Sequence, residues 1–130
     1  MIEDTSFIID VLRGDKDACA RLDAIERNRT PEKVASITVL ELYEGLAQIG
    51  LPADRTQAIM DVLDSKHIVD GTEDIMRTAG DLSGTLYATG EAIDREDYII
   101  AATALRRDEP VLTRNDEHFS RVEGLEVATY

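Results

Sequence analysis

The sequence predicts an α/β fold: three α/β/α layers around a short-stranded, mainly parallel central sheet. Three observations predict it. Short apolar runs alternate with amphipathic helical patterns along the whole chain. Those runs lack polar alternation, as expected of strands covered on both faces. No internal repeat, low-complexity tract or linker interrupts the series, so the 130 residues are expected to form one domain, 1–130, around one core.

The elements follow in order. Met1–Asp4 reads as the first strand, running into Asp4-Thr5-Ser6. Ser6–Arg13 carries Phe7, Ile8, Val11 and Leu12 at helical spacing, closed by Gly14 at the position past the helix end where glycine is favoured. Asp15–Arg29 is a second helix, with Ala18, Leu22 and Ile25 on one face. Asn28–Lys33, holding Pro31, is a loop, and Val34–Ile37 is a second strand. Thr38–Ile49 is a helix with Leu42, Leu46 and Ile49 at helical intervals; Gly50 stops it, and Pro52 starts the next, Ala53–Ser65. His67–Val69 is a third strand. Thr72 caps a helix to about Ala88, whose buried stripe is Ile75, Ala79, Leu82 and Leu86. Glu91–Phe119 then compresses a helix, a turn and a strand into one stretch. Asp97 opens the apolar helix Tyr98–Leu105 with Asp94 as its N-cap, a turn follows at Asp108-Glu109-Pro110, and the strand Val111–Thr113 runs into Thr113-Arg114-Asn115-Asp116. Leu125–Ala128 is the last strand.

Composition excludes several function classes. A hydrophobic fraction of 43% is ordinary for a globular chain. No apolar run approaches the ~20 residues of a membrane span. The N-terminal MIEDTSF has neither a basic region nor a cleavage site, so no secretory signal is expected. The one cysteine, Cys19, has no internal disulfide partner and no metal-ligand spacing around it. These features fit a reducing cytoplasm. The net charge of -13 argues against an extended basic footprint for nucleic acid. Only Lys16, Lys33 and Lys66 are lysines, and an acidic, lysine-poor surface is what high internal salt selects; simple solubility selects it too.

Right-handed crossovers place the strand C-termini along one edge, where open α/β sheets form their sites. Asp4, the Ile37-Thr38 junction and Thr113-Arg114-Asn115 all fall there. Each acid also has an ordinary structural role. Asp4 can cap the helix at Ser6. Thr38 and Glu41 match a capping box, with Glu44 one turn on and nearer solvent. Asp97 sits in a first turn, where the helix dipole favours anions. Asn115 or Asp116 can cap a short turn ahead of His118 and Phe119, and His118 reads as a packing or surface residue rather than a ligand. The capping roles do not explain why every position falls on one edge. Carboxylates converging there repel, and hard divalent cations relieve that repulsion; Mg2+ and Mn2+ prefer carboxylate oxygen and water. Such a site suits phosphodiester hydrolysis, and no Ser or Cys is placed as a nucleophile.

Four segments together resemble the PIN-domain ribonucleases, specifically the VapC-type toxins of toxin–antitoxin pairs. They are Asp4-Thr5-Ser6-Phe7-Ile8-Ile9-Asp10, Ser36-Ile37-Thr38-Val39-Leu40-Glu41-Leu42-Tyr43-Glu44-Gly45, Asp97-Tyr98-Ile99-Ile100-Ala101-Ala102-Thr103-Ala104, and Val111-Leu112-Thr113-Arg114-Asn115-Asp116-Glu117-His118-Phe119. The resemblance covers essentially the whole chain and implies a PIN-like domain. It implies that Asp4, Glu41 and Asp97 bind Mg2+ or Mn2+, with the fourth polar place at Asn115 or the adjacent Asp116. Ser6 and Thr113 look like supporting or substrate-side groups, and Arg114 like a group that reaches a phosphate. The implied reaction is endonucleolytic cleavage of single-stranded RNA by a homodimer restrained by a VapB-like antitoxin. The acidity of the chain departs from what an RNA enzyme favours. Two other readings compete. A receiver-type phosphoacceptor domain also gathers acids at a strand edge, but it needs a lysine at a late strand end and none follows Lys66. A catalytically silent PIN-like binding module would not need the intact acidic set.

Overall fold

The computed structural model describes residues 1–49 and 53–130. Its strands are short: β1 (Ile2–Glu3), β2 (Lys33–Ala35), β3 (His67–Val69), β4 (Val111–Leu112) and β5 (Val127–Ala128). They form one five-stranded sheet in the order β3-β2-β1-β4-β5. Every neighbouring pair is parallel, with Ile2 opposite Lys33 and Val111, Ala35 opposite Val69, and Leu112 opposite Ala128.

Strand alternation divides the apolar side chains between two cores. Ile2, Ala35, Val69 and Val111 pack on one face, against Ile75, Ala79 and Leu86 of α5 (Glu73–Ala88), Ile100 and Ala104 of α6 (Arg95–Arg107) and Phe119 of α7 (Asp116–Phe119). Val34 and Leu112 pack on the other. There they meet Phe7 and Ile8 of α1 (Thr5–Leu12), Ala18 and Ile25 of α2 (Lys16–Arg27), Leu42 and Leu46 of α3 (Ser36–Ile49), and Ile59 and Leu63 of α4 (Ala53–Asp64). The result is the expected three layers. Complete burial of Phe7, Ile8 or Ile100 is worth about 1.5–3 kcal/mol each.

Local signals fixed several boundaries. Gly14 adopts φ +77° just beyond α1, the left-handed turn that glycine makes without a Cβ clash. Asp15 accepts from the Ala18 amide at 2.9 Å, and Thr72 from the Ile75 amide at 3.3 Å. Asp94 occupies the N-cap position of α6, as expected, although its side chain makes no cap bond. Other boundaries differ. α1 begins at Thr5 rather than Ser6. β2 ends at Ala35, and α3 starts at Ser36, two residues ahead of Thr38. Thr38 is therefore not an N-cap and Glu41 is not at the third helical position, so the capping box does not form. Ile37, expected in the strand, packs from α3 onto the α5–α6 core instead. The expected strand residues Thr113 and Leu125 lie outside β4 and β5, and Asp116–Phe119 closes into one helical turn. The stop expected at Gly50 and the start expected at Pro52 lie outside the described residues.

Charges brace the edge where the strands begin. The Met1 ammonium and Lys33 both pair with Glu109. Lys66, just before β3, reaches Glu32 at 2.6 Å and Glu3 at 2.7 Å, with the Lys66 side chain 2% exposed and Glu3 fully buried. Glu3 points into the α1–α4 layer. Burial raises its pKa to about 7 against the attraction of Lys66. Burial would lower the Lys66 pKa, but Glu3 and Glu32 together hold it above its ordinary value. Removing one partner of such a pair strands a buried charge and costs about 3–5 kcal/mol. Lys66→Met is therefore expected to lose about that much stability. The sign with pH follows from Glu3. Its raised pKa contributes stability that is complete below about 4.5 and lost as pH rises through about 7, and losing Lys66 deepens that loss. Urea unfolding of Lys66→Met should show a larger deficit at high than at low pH within this window; equal deficits would refute the pairing.

Candidate active site

The chain turns from strand to helix at the sheet's other edge, and the side chains there build one acidic centre. Asp4 follows β1 and is the N-cap residue of α1, but its side chain makes no cap bond. Its Oδ2 instead accepts from the Ser6 and Thr113 hydroxyls, each at 2.7 Å. Ser6 lies in the first turn of α1 and Thr113 leaves β4, so strand neighbours in the sheet fix this pair of donors. The Thr113 oxygen also accepts from the Asn115 amide N–H at 2.8 Å, which folds the chain back after the strand.

Glu41 enters from α3. Its Oε1 accepts from the Thr5 hydroxyl at 2.7 Å, and that hydroxyl lies 3.0 Å from the Thr38 hydroxyl. Thr38 is fully buried. Burial raises the Glu41 pKa to about 7; the Thr5 bond opposes the rise, while the charges of Asp4, Glu96 and Asp97 add to it. Asp97, in the first turn of α6, has a side chain 13% exposed. Burial raises its pKa as well, against the His118 bond and with help from Asp4 and Asp94. Asp4, Glu41 and Asp97 thus come together, and each of the last two feels Asp4 as an added charge.

His118 Nδ1 lies 3.0 Å from Asp97 Oδ2 and 2.9 Å from the side-chain amide of Asn115. Nδ1 cannot donate to Asp97 and accept from Asn115 at once. An ionised Asp97 requires Nδ1–H, and Asn115 then presents its amide oxygen to the ring. Asn115 is half-buried against this group, whereas Asp116 is exposed at the start of α7. Arg114 pairs with Asp10 at 2.9 Å rather than with Asp4, Glu41 or Asp97. Asp94, Asp97 and His118 each bring one ligand atom within 4.8 Å of the others; Asp4 and Glu41 lie outside that trio and couple to Asp97 through charge.

Several of these contacts were not visible in sequence. Thr5 and Thr38 read as cap or strand-end residues. His118 read as a packing residue, although it stands one helical turn after Asn115. Glu96, whose charge reaches Glu41, was overshadowed by Asp97. Asp10 sits one turn beyond Ser6 on α1, the one available clue to its place. A cavity of about 520 Å³ opens beside Glu41 between α1, α3 and α4, with Ile9, Leu46 and Ile59 in its wall and Arg13, Asp54 and Arg55 also lining it. The ligand set suits a hard divalent cation: carboxylates with one oxygen held by a donor, partly buried, with two of the pKa values raised by burial and, less, by neighbouring acids.

Comparison with known proteins bears on the family. Ribonuclease VapC19 of Mycobacterium tuberculosis is 32% identical over 116 residues, covering 89% of each chain. A toxin–antitoxin complex from Klebsiella pneumoniae contains a chain with a TM-score of 0.77 and 25% identity, covering 98% of this chain and 95% of that one. VapBC2 of Rickettsia felis, solved bound to a promoter DNA fragment, shares the fold at a TM-score of 0.89 and 19% identity, covering 99% and 97%. The PIN domain family model matches residues 1–125, and with that match and the VapC19 identity, this chain belongs to the PIN-domain family.

Proposed function

We propose that this protein is a Mg2+- or Mn2+-dependent endoribonuclease that cleaves single-stranded RNA, the toxin of a type II toxin–antitoxin pair. The observation that carries the reading is the convergence of Asp4, Glu41 and Asp97 on one edge, each with an oxygen fixed by a donor. Family membership and the VapC19 relative support the same reaction.

Asp4, Glu41 and Asp97 would hold the cation. A divalent cation there acidifies water and offsets the charge that develops on the phosphate. The chain's own groups do the positioning. Ser6 and Thr113 both tie down Oδ2 of Asp4. Thr5 holds Oε1 of Glu41, and His118 holds Oδ2 of Asp97. We assign the fourth polar place to Asn115, because its amide meets His118; Asp116 remains the second candidate, exposed one residue on. Arg114 offers its remaining N–H donors to the substrate phosphates.

The partner reading is a VapB-like antitoxin whose basic tail enters the acidic edge and whose apolar residues fill the cavity beside Glu41. The relatives solved as VapBC complexes support such a partner. A homodimer fits the α5–α6 face, where Tyr87 is 80% and Met76 42% exposed. Among the described residues no helix is long and apolar enough to cross a membrane; we place the protein in the cytoplasm with its RNA substrate.

Two predictions follow from the site. Asp4→Asn, Glu41→Gln and Asp97→Asn should each lower cleavage of a fluorescent single-stranded RNA by roughly a hundredfold or more, on the scale of losing one preorganised charged group. Asp97→Asn should also melt at or above the wild-type temperature, because one of the crowded charges is gone. Asn115→Ala should lose more activity than Asp116→Asn. Wild-type cleavage by Asp97→Asn would overturn the reading. The second prediction concerns pH. Glu41, raised to about 7, contributes stability to the metal-free protein that is present below about 4.5 and lost as pH rises through 7. A cation needs the ionised carboxylate, so the Mn2+-induced rise in melting temperature should grow across that interval and shrink in Glu41→Gln. A pH-independent rise would place the ion elsewhere.

A further inference from the structure

We propose that Asp10 and Tyr130 form a clamp that sets Arg114 as a seat for an RNA phosphate beside the acidic centre. The inference rests on the ribonuclease reading above. Asp10 has a side chain only 4% exposed, and the proposed reaction makes no use of it. A buried carboxylate requires partners. It has two, and both come from distant parts of the chain: Arg114 Nη1 donates to Oδ1 at 2.9 Å and the Tyr130 hydroxyl donates to Oδ2 at 2.6 Å.

The clamp is rigid on its inner side and open on its outer side. The Tyr130 ring stands edge-on to the fully buried Phe7, with ring centroids 5.0 Å apart. Burial and the Asp10 charge push the Tyr130 phenol above its ordinary pKa, so it remains a donor to Asp10. The Arg114 side chain is nevertheless 59% exposed. One nitrogen is anchored by a charge-assisted bond, and the rest of the planar fork faces solvent with the geometry that matches a phosphate.

Its distance from the centre is fixed through α1. The Arg114 amide N–H lies 3.4 Å from Ser6 Oγ, which donates to Asp4 Oδ2 at 2.7 Å. Ser6 and Asp10 are four residues apart and share a helical face. The guanidinium therefore stands one helical turn from the group that braces Asp4, on the β4 side of β1, while Glu41 stands on the β2 side. An arginine ordered before binding does not lose its rotamer freedom when RNA arrives. On a chain with net charge -13, such a fixed cation is where an RNA backbone would be held.

A plain structural stitch between α1 and the β4 exit would affect melting but not substrate binding. The test is steady-state cleavage of a fluorescent single-stranded RNA with Mn2+ across a KCl series, with melting temperatures in parallel. Arg114→Gln should raise KM about tenfold, change kcat far less, and reduce the salt slope of binding by about one. Asp10→Asn and Tyr130→Phe should raise KM in the same direction with Arg114 still present. The Asp10→Asn/Arg114→Gln double variant should have a KM no worse than Arg114→Gln alone. Arg107→Gln, the same charge change at the far end of α6, should leave KM unchanged. Arg114→Lys should restore the salt slope but not the full KM. If Asp10→Asn and Tyr130→Phe only lower the melting temperature, or Arg114→Gln binds RNA as wild type does, the clamp is refuted while the ribonuclease reading stands. If wild type neither binds nor cleaves RNA, both readings fall together.

Discussion

Asp4, Glu41 and Asp97 are carboxylates held in a partly dry setting within reach of one another's charge, and burial together with that charge is what the surrounding structure must withstand. Burial raises the pKa values of Glu41 and Asp97, and the charge of Asp4 adds to each rise. The fold answers with donors rather than cations. Hydroxyls of Thr5, Ser6 and Thr113 and the imidazole of His118 each hold one oxygen. The hydroxyl donors fix the geometry without discharging the centre, which leaves the negative charge that the proposed cation would meet. A lysine in the same place would relieve the repulsion and abolish the use.

The placement of lysine follows the same logic. Lys33 and Lys66 are both committed to the opposite edge of the sheet, where they pair with Glu109, Glu32 and Glu3. β1 shows the division over two successive residues. Glu3 is fully buried and reaches Lys66, while Asp4 is buried and receives only hydroxyls. One carboxylate closes the fold, and its neighbour is left for the proposed chemistry. The two roles sit side by side because alternate residues of a strand face opposite ways, and because the strand ends between them.

Much of this was legible in the sequence. The alternation of short apolar runs with amphipathic patterns gave the layers, and Gly14 and Thr72 marked their helices through local chemistry that needs no tertiary context. Errors arose where a local pattern had two readings. Val34-Ala35-Ser36-Ile37 is apolar enough for a strand, yet Ile37 belongs to α3 because its side chain fills the core beside α5 and α6. That shift dissolved the capping box at Thr38 and Glu41 and left Glu41 without a structural duty in the helix start. Contacts made across the chain were not legible at all. Thr5 meets residues 33 and 36 positions away, His118 meets Asp97 21 positions back, and Tyr130 meets Asp10 120 positions back. No periodicity encodes such pairings; they follow from strand order.

The acidity of the chain and its proposed polyanionic substrate can be reconciled by distance. At physiological ionic strength, charges more than ~8 Å apart across solvent are largely screened. Acids on the outer faces of α2 and α5 then slow the approach of RNA more than they weaken its bound state. On the proposed reading, what decides the bound state is local: a cation that Asp4, Glu41 and Asp97 would hold, and the Arg114 guanidinium that Asp10 holds in place. A site built this way does not need a basic surface. It gives up electrostatic steering and keeps local neutralisation, and it becomes more tolerant of salt than an enzyme whose affinity comes from a broad basic patch, because few counterions are released when RNA binds.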